Sequence, residues 1–184
     1  LASVAVSGTM LRQRFHPCEE GYIKAVCRGR CCQGTGKILV TVHPTEQGYI
    51  ERMGATVQDG FIVADARGLC PFKTDGGLCS IHGDHKPFGC RASPFTLTHK
   101  GTLIIRNRYR LLRCYGSDGS VPAYEAHLWS LGQIFGRPEA ARIAQEAREG
   151  APIIWADMPD RHYHILLEND AAKRSKEAHH AEPA

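Results

Sequence analysis

Apolar residues recur along this chain with two periods, and each period marks a different kind of element. Lys37 to Val42 (K-I-L-V-T-V) is rich in β-branched residues and predicts a strand. Shorter strands are predicted at Ser3 to Val6 and over residues 56–64 (T-V-Q-D-G-F-I-V-A). Pro44 to Met53 predicts a short helix that Pro44 or Thr45 starts and Gly54 stops. Leu103 to Leu111 alternates: Leu103, Ile105, Tyr109 and Leu111 share one face, and Arg106, Arg108 and Arg110 share the other. That pattern predicts a half-buried strand with a solvated polar face. A second reading makes it an arginine stripe facing phosphate, nucleic acid or an acidic protein partner.

Helical spacing takes over in the last third. Tyr124, Leu128, Leu131 and Phe135 fall on one stripe, which Trp129 and Ile134 broaden, and a stripe of this kind is expected to be buried. Pro138 opens a second helix that Gly150 closes. Residues 168–184 are polar and alanine-rich and read as a helix-prone or frayed tail. The expected organisation is a cysteine-cluster metal-binding domain over 1–120, a helical extension packed on it over 121–167, and a flexible or frayed tail over 168–184. The expected fold class is α+β: a small, mainly antiparallel sheet with irregular cysteine-rich metal-binding loops and C-terminal helices.

Composition changes this picture in one respect. The 184 residues, 42% of them hydrophobic, are enough for a core without disulfides, and the formal net charge of +4 permits an acidic partner without requiring one. No stretch approaches the roughly 20 apolar residues of a membrane span. No signal peptide is visible in residues 1–10, and a cytoplasmic location is expected. The eight cysteines, however, are not scattered: C-R-G-R-C-C spans 27–32, and Cys70, Cys79 and Cys90 follow in a loop rich in glycine and proline. A disulfide framework suits short secreted chains, and inert buried thiols have no reason to gather in such loops, although Cys114 reads as one of that kind. Metal ligation accounts for the grouping better. Thiolates are soft ligands for zinc, copper(I) and iron–sulfur centres, and Cys27, Cys31, Cys32, Cys70, Cys79 and Cys90 are the candidate ligands. Six thiols exceed the four of a structural zinc ion, which leaves spare thiols, an iron–sulfur cluster or two metals as alternatives.

In these two groups the chain resembles the zinc- or iron-chelating cysteine-cluster family (the CxxCxxCC, or YkgJ-like, proteins). Cys31-Cys32 match its Cys-Cys pair, Cys70-Pro71-Phe72 its second element, and Gly77-Leu78-Cys79-Ser80-Ile81-His82 its third. Lys86-Pro87-Phe88-Gly89-Cys90-Arg91-Ala92-Ser93-Pro94-Phe95 match its fourth. The resemblance covers roughly residues 27–95. Its first cysteine has no counterpart near Ile23 and Lys24, which makes Cys18 and His82 candidate substitutes. The resemblance implies a zinc or iron centre, mononuclear or iron–sulfur, and no defined reaction.

Other chemistry is thinner. His82 and His85 flank the cysteine loop, and His162 and His164 would share a face on a strand. Gly34-Thr-Gly36-Lys37 reads as a turn into a strand rather than a phosphate loop. The expected function is therefore metal holding. An iron-dependent redox enzyme or electron carrier, and a metal-stapled component of a larger protein or nucleoprotein assembly, are the alternatives. Loops 27–34 and 70–95 are expected to converge, so that folding and metal binding are coupled.

Overall fold

The computed structural model describes residues 1–33 and 37–181. The turn expected at Gly34–Gly36 and the last residues of the expected tail, 182–184, lie outside the described residues. The fold is mixed α+β with small, mostly antiparallel sheets. Strand β1 (Ala2–Ser7) leads through α1 (Gly8–Leu11) to β2 (Arg14–Phe15) and a single helical turn α2 (Glu20–Tyr22). A π-helical turn (Ile23–Cys27) and a 3-10 turn (Arg30–Cys32) carry the first cysteine group. Then come β3 (Lys37–Thr41), α3 (Pro44–Arg52), β4 (Val57–Gln58) and β5 (Phe61–Val63). The second cysteine group occupies the long loop between β5 and α4 (Phe88–Ala92), with Cys90 in α4 itself. Strands β6 (Phe95–Leu97) and β7 (Thr102–Ile105), a 3-10 turn (Asn107–Leu111) and β8 (Val121–Pro122) lead to α5 (Ala123–Ala126), α6 (Leu128–Phe135) and α7 (Arg137–Arg148). Strand β9 (Ile153–Met158) and α8 (Asp160–Ala181) complete the chain.

Two sheets matter for the site. The larger has the order β6-β7-β1-β9, antiparallel except for the β1–β7 pair. Its inner face presents Val4, Val6, Leu103, Ile105, Ile154, Ala156 and Met158 to α6 and α7, whose Leu131, Ile134, Ile143 and Ala147 complete a first core with Phe15. The smaller sheet, β3-β5-β4, packs Ile38, Val40, Val42 and Ile62 against Ile50 of α3 and against Phe72, forming a second core. Each fully buried aliphatic side chain of this size contributes about 1.5–3 kcal/mol, so each core is a substantial anchor for the loops on it. The first core draws on both sides of the boundary expected at residue 120, because β9 pairs with β1 along its whole length.

Several local expectations change. Residues 56–64 form a hairpin rather than one strand, because Asp59 and Gly60 are both left-handed (φ 53° and 78°) and reverse the chain. The stripe from Tyr124 is broken at His127, which leaves helical geometry at φ −117°, ψ 24°. Tyr124, Leu131, Ile134 and Phe135 are buried, but the break turns Leu128 and Trp129 outward, at 43% and 46% exposure. Helix α8 runs through the boundary expected at 168, and Asn169 is buried. His162 and His164 stand on this helix rather than on a strand, so they do not share a face.

The arginine stripe is a correction. Only Thr102–Ile105 is strand; the chain then turns into the 3-10 segment Asn107–Leu111. Three residues per turn scatter Arg106, Arg108 and Arg110 around the axis instead of aligning them. Arg108 points inward, donating from Nη1 to the Cys31 carbonyl at 3.1 Å and lying over the Tyr109 ring, while Leu111, expected inside, is 88% exposed. The expected nucleic-acid or acidic-partner face loses its geometric basis.

Edge strand β9 is held to α7 by one carboxylate. Glu139 accepts from Arg142 and, at 3.2 Å, from the Asp157 backbone N–H, while Arg142 Nη2 also donates to the Trp155 carbonyl at 2.7 Å. The hydrogen bond from Arg142 holds the Glu139 carboxyl below its ordinary value of 4.5. A depressed folded pKa gives stability that is present above pH 4.5 and lost as pH falls through the folded value. Glu139→Gln is expected to lower stability by about 0.5–1 kcal/mol at neutral pH, with the difference shrinking in acid. Urea unfolding of both proteins at neutral pH and below the carboxylate range measures it.

Candidate metal centre

The two cysteine loops meet backbone to backbone. The π-helical turn ends on Arg28 and Gly29, both left-handed at φ 54° and 63°. This turns the Gly29 carbonyl toward Lys73, whose Nζ donates to it at 2.7 Å, and Lys73 is only 7% exposed. A Cβ at Gly29 would lie 2.6 Å from the Gly77 carbonyl oxygen, and one at Gly77 would lie 2.9 Å from the Arg28 carbonyl carbon. Only glycine permits that approach from both sides. Arg28 adds a clamp from Nη2 to the Asp75 carbonyl at 3.0 Å, and Gln33 forms an isolated bridge with Leu69.

The second loop is itself well fixed. Lys73 bridges Cys79, and Ser80 N–H donates to the Phe72 carbonyl at 2.7 Å, while Phe72 is buried in the second core. Arg67 ties the loop base, pairing with Asp65 and donating to the Lys73 carbonyl at 2.9 Å. Glu46 of α3 accepts from the Phe88 N–H at 2.8 Å, which sets the start of α4 and hence Cys90.

All eight cysteines are free thiols. Cys70, Cys79 and Cys90 pack against the second core, and the charge of Cys32 acts on each of them. Burial pushes the Cys70 thiol up to about 11, partly opposed by the Phe72 N–H directed at its sulfur. Burial also raises Cys79, opposed in the same way by the Ile81 N–H, and raises Cys90 strongly. A backbone N–H two residues beyond a cysteine favours its thiolate form, and in the Cys-Pro-Phe and Cys-Ser-Ile segments it offsets part of the burial that keeps both thiols raised. Cys31 and Cys32 have their sulfurs 3.8 Å apart. Their hydrogen bond pulls Cys31 down and pushes Cys32 well up, so the pair holds one negative charge more readily than two.

Cations surround these thiols. Lys73 and Lys86 act on Cys32, Lys86 on Cys79 and Cys90, and Arg108 on Cys31. Among the described residues no carboxylate pairs with Lys73. Lys173 of α8 has its Nζ buried without a hydrogen-bond partner among the described residues, and burial together with Arg106 and Arg108, opposed by Asp170, brings its amine down to about 6, so that it is mostly neutral at neutral pH. Lys73 is a buried cation without a carboxylate partner among the described residues, and thiolates are a nearby source of countercharge.

The convergence is looser than coordination. Among the described residues no three cysteine, histidine, aspartate or glutamate side chains stand together as they would around an ion. The six expected ligands divide: Cys32, Cys70, Cys79 and Cys90 are grouped, whereas Cys27 and Cys31 face another cavity, with Cys18 and Cys114. His82, a candidate substitute ligand, is exposed and stacks on Trp129 at 5.9 Å. His85 is exposed, and its carbonyl accepts from the Tyr49 hydroxyl. His162 Nδ1–H donates to the Ile134 carbonyl at 2.8 Å, and the ring stacks on Phe88. Cys114, read from the sequence as an inert buried thiol, packs against the first core and also lines the cavity with Cys18. No spacing rule relates it to the motifs, and only the pairing of residues 14–16 with 114–116 carries it to Cys18.

No family model, curated protein or solved structure matches the chain.

Gly77→Ala forces a left-handed alanine (φ 85°) against the Arg28 backbone. It is expected to cost at least about 2 kcal/mol in chemical denaturation and to expose loop 27–33 to limited proteolysis.

Proposed function

We propose that this chain is a metal-holding protein of the cysteine-cluster type, in which Cys32, Cys70, Cys79 and Cys90 bind one thiophilic metal centre. The observation that carries this reading is the gathering of thiols from three separate segments beside a buried ammonium, Lys73, that has no carboxylate partner among the described residues. A disulfide network or a set of inert core thiols gives no reason for the buried Lys73 ammonium. Four thiolates are the donor set of a closed structural zinc site and equally of an iron–sulfur cluster. When bound, the metal supplies a cross-link between loop 27–33 and loop 70–90.

The chain's own residues prepare the site. Phe72 and Ile81 direct N–H groups at sulfur, Lys73 and Lys86 offset the thiolate charge, and Gly29 and Gly77 let the loops close. The resemblance of residues 27–95 to the zinc- or iron-chelating family agrees with this reading, which calls for a reducing compartment where thiols stay free. No helix among the described residues is long and apolar enough to cross a membrane.

Elemental analysis and an optical spectrum of protein purified without oxygen test the proposal. The expected result is bound zinc, or iron with sulfide absorption, that falls by one centre in Cys79→Ser and Cys90→Ser. Brown protein with reversible bleaching by a reductant would favour the electron-carrier form, and colourless zinc protein the structural form. A chain that takes up neither zinc nor iron with sulfide would end the proposal. Lys73→Met is expected to weaken the metal about tenfold or more without changing stoichiometry, measured by competition with a chromophoric chelator.

A further inference from the structure

A separate cavity of about 40 Å³ lies beside the first core. It is lined by four thiols and two imidazoles: Cys18, Cys27, Cys31, Cys114, His16 and His127. None of Cys32, Cys70, Cys79 or Cys90 lines it, and the two groups rest on different cores. Cys31 and Cys114 pack against the first core, and Cys70, Cys79 and Cys90 against the second. The adjacent residues Cys31 and Cys32 straddle the seam between them.

The four thiols reach the cavity by independent routes. His16 N–H donates to the Cys114 carbonyl at 2.8 Å, and Gly116 N–H donates to the Arg14 carbonyl at 2.8 Å, which sets Cys114 beside the Pro17-Cys18 segment. The π-helical turn brings Cys27, and the 3-10 turn brings Cys31, held by Arg108 at its carbonyl. The charges of Cys18 and Cys27 act on Cys114, whose thiol burial raises to about 11, and Cys18 and Cys27 also act on Cys31. Cys18 is exposed as a residue, yet its thiol is enclosed enough that burial raises it.

A second, independent feature points at a ligand. His127 is 8% exposed, lines the cavity, and its Nε2 is buried without a hydrogen-bond partner among the described residues. An orphaned imidazole nitrogen in an enclosed site costs free energy unless something occupies the space. The cavity has room for a few water-sized groups, which suits a single ion with one further ligand. Arg30 and Arg113 stand at its wall, and Arg108 acts on Cys31.

We propose that Cys18, Cys27, Cys31 and Cys114 form a second metal site for one thiophilic divalent cation of the zinc class, distinct from the Cys32 centre, with His127 as the neighbouring nitrogen. The eight cysteines then divide four and four, and no thiol is left over. The two sites adjoin at the Cys31-Cys32 pair, whose sulfurs are 3.8 Å apart, and they are tested together.

The full chain is purified reduced and without oxygen, stripped with chelator and titrated with cobalt(II), then with zinc. The expected result is two equivalents per chain, each with sulfur-to-cobalt charge-transfer absorption. Cys18→Ser, at an exposed position, is expected to weaken one equivalent at least about tenfold and leave the other unchanged, and Cys114→Ser to do the same. Cys90→Ser is expected to affect the other equivalent alone. Far-ultraviolet circular dichroism of each stripped variant against stripped wild type confirms that loss of metal is not loss of fold. One equivalent that ignores Cys18→Ser and Cys114→Ser overturns the second site and leaves the first standing. One equivalent that is lost in those variants and ignores Cys90→Ser removes the first and sustains the second. No equivalent removes both. A single centre, whether ion or iron–sulfur cluster, abolished by Cys18→Ser and by Cys90→Ser alike overturns the division into two sites.

Discussion

The middle of this chain depends on one close approach: the backbone of Arg28-Gly29 lies against the backbone of Gly77, and buried Lys73 donates to the Gly29 carbonyl across the contact. Neither glycine tolerates a side chain, and both are left-handed. Because the two loops touch there, Cys31 and Cys32 are carried to the junction of the two hydrophobic cores, and Cys70 and Cys79 are carried to Cys32. Removing the contact would separate the thiols without altering any of them.

The cores supply the rigidity that the loops lack. Phe72 anchors the second loop in the smaller core, and Glu46 of α3 sets the start of α4 beneath Cys90. On the other side, the pairing of residues 14–16 with 114–116 rests on Phe15, which is fully buried in the first core and meets His127 edge to face at 5.1 Å. The thiols thus occupy a seam, enclosed enough that burial raises most of them, with Lys73, Lys86 and Arg108 close by. A seam that sets buried Lys73 beside protonated thiols, with no carboxylate on Lys73 among the described residues, is electrostatically incomplete. Converting the thiols to metal-bound thiolates would supply the missing negative charge, and this is the physical ground for the proposed function.

Much of the local structure was legible. Strands at Ser3 to Val6 and Lys37 to Val42 and helices from Pro44 and near Pro138 appear close to where periodicity and capping residues put them. The misses share a cause. The arginine alternation from 103 to 111 is compatible with a strand, but the chain leaves the sheet after Ile105 and the 3-10 turn redistributes the side chains. Trp129 fits a helical stripe until the break at His127 rotates it outward. In both cases a periodic pattern was read across a point where tertiary packing interrupts the period.

By itself the sequence determined the α+β class and the position of the strands β1 and β3, because these follow from residue type and short-range spacing, while β6 and β9 of the larger sheet emerge only in the folded chain. Only the tertiary structure decided how the thiols are partitioned. Cys114 and Cys18 are distant in sequence, and Cys31 and Cys32 are neighbours. Yet Cys114 lines one cavity with Cys18 and Cys31, whereas Cys32, its sulfur 3.8 Å from that of Cys31, acts both on Cys18 and on Cys70, Cys79 and Cys90. Spacing along a chain says which sulfurs can reach one another locally; which core each sulfur leans on is set by long-range pairing of β-strands and by the contact at Gly29 and Gly77, and no local pattern encodes it.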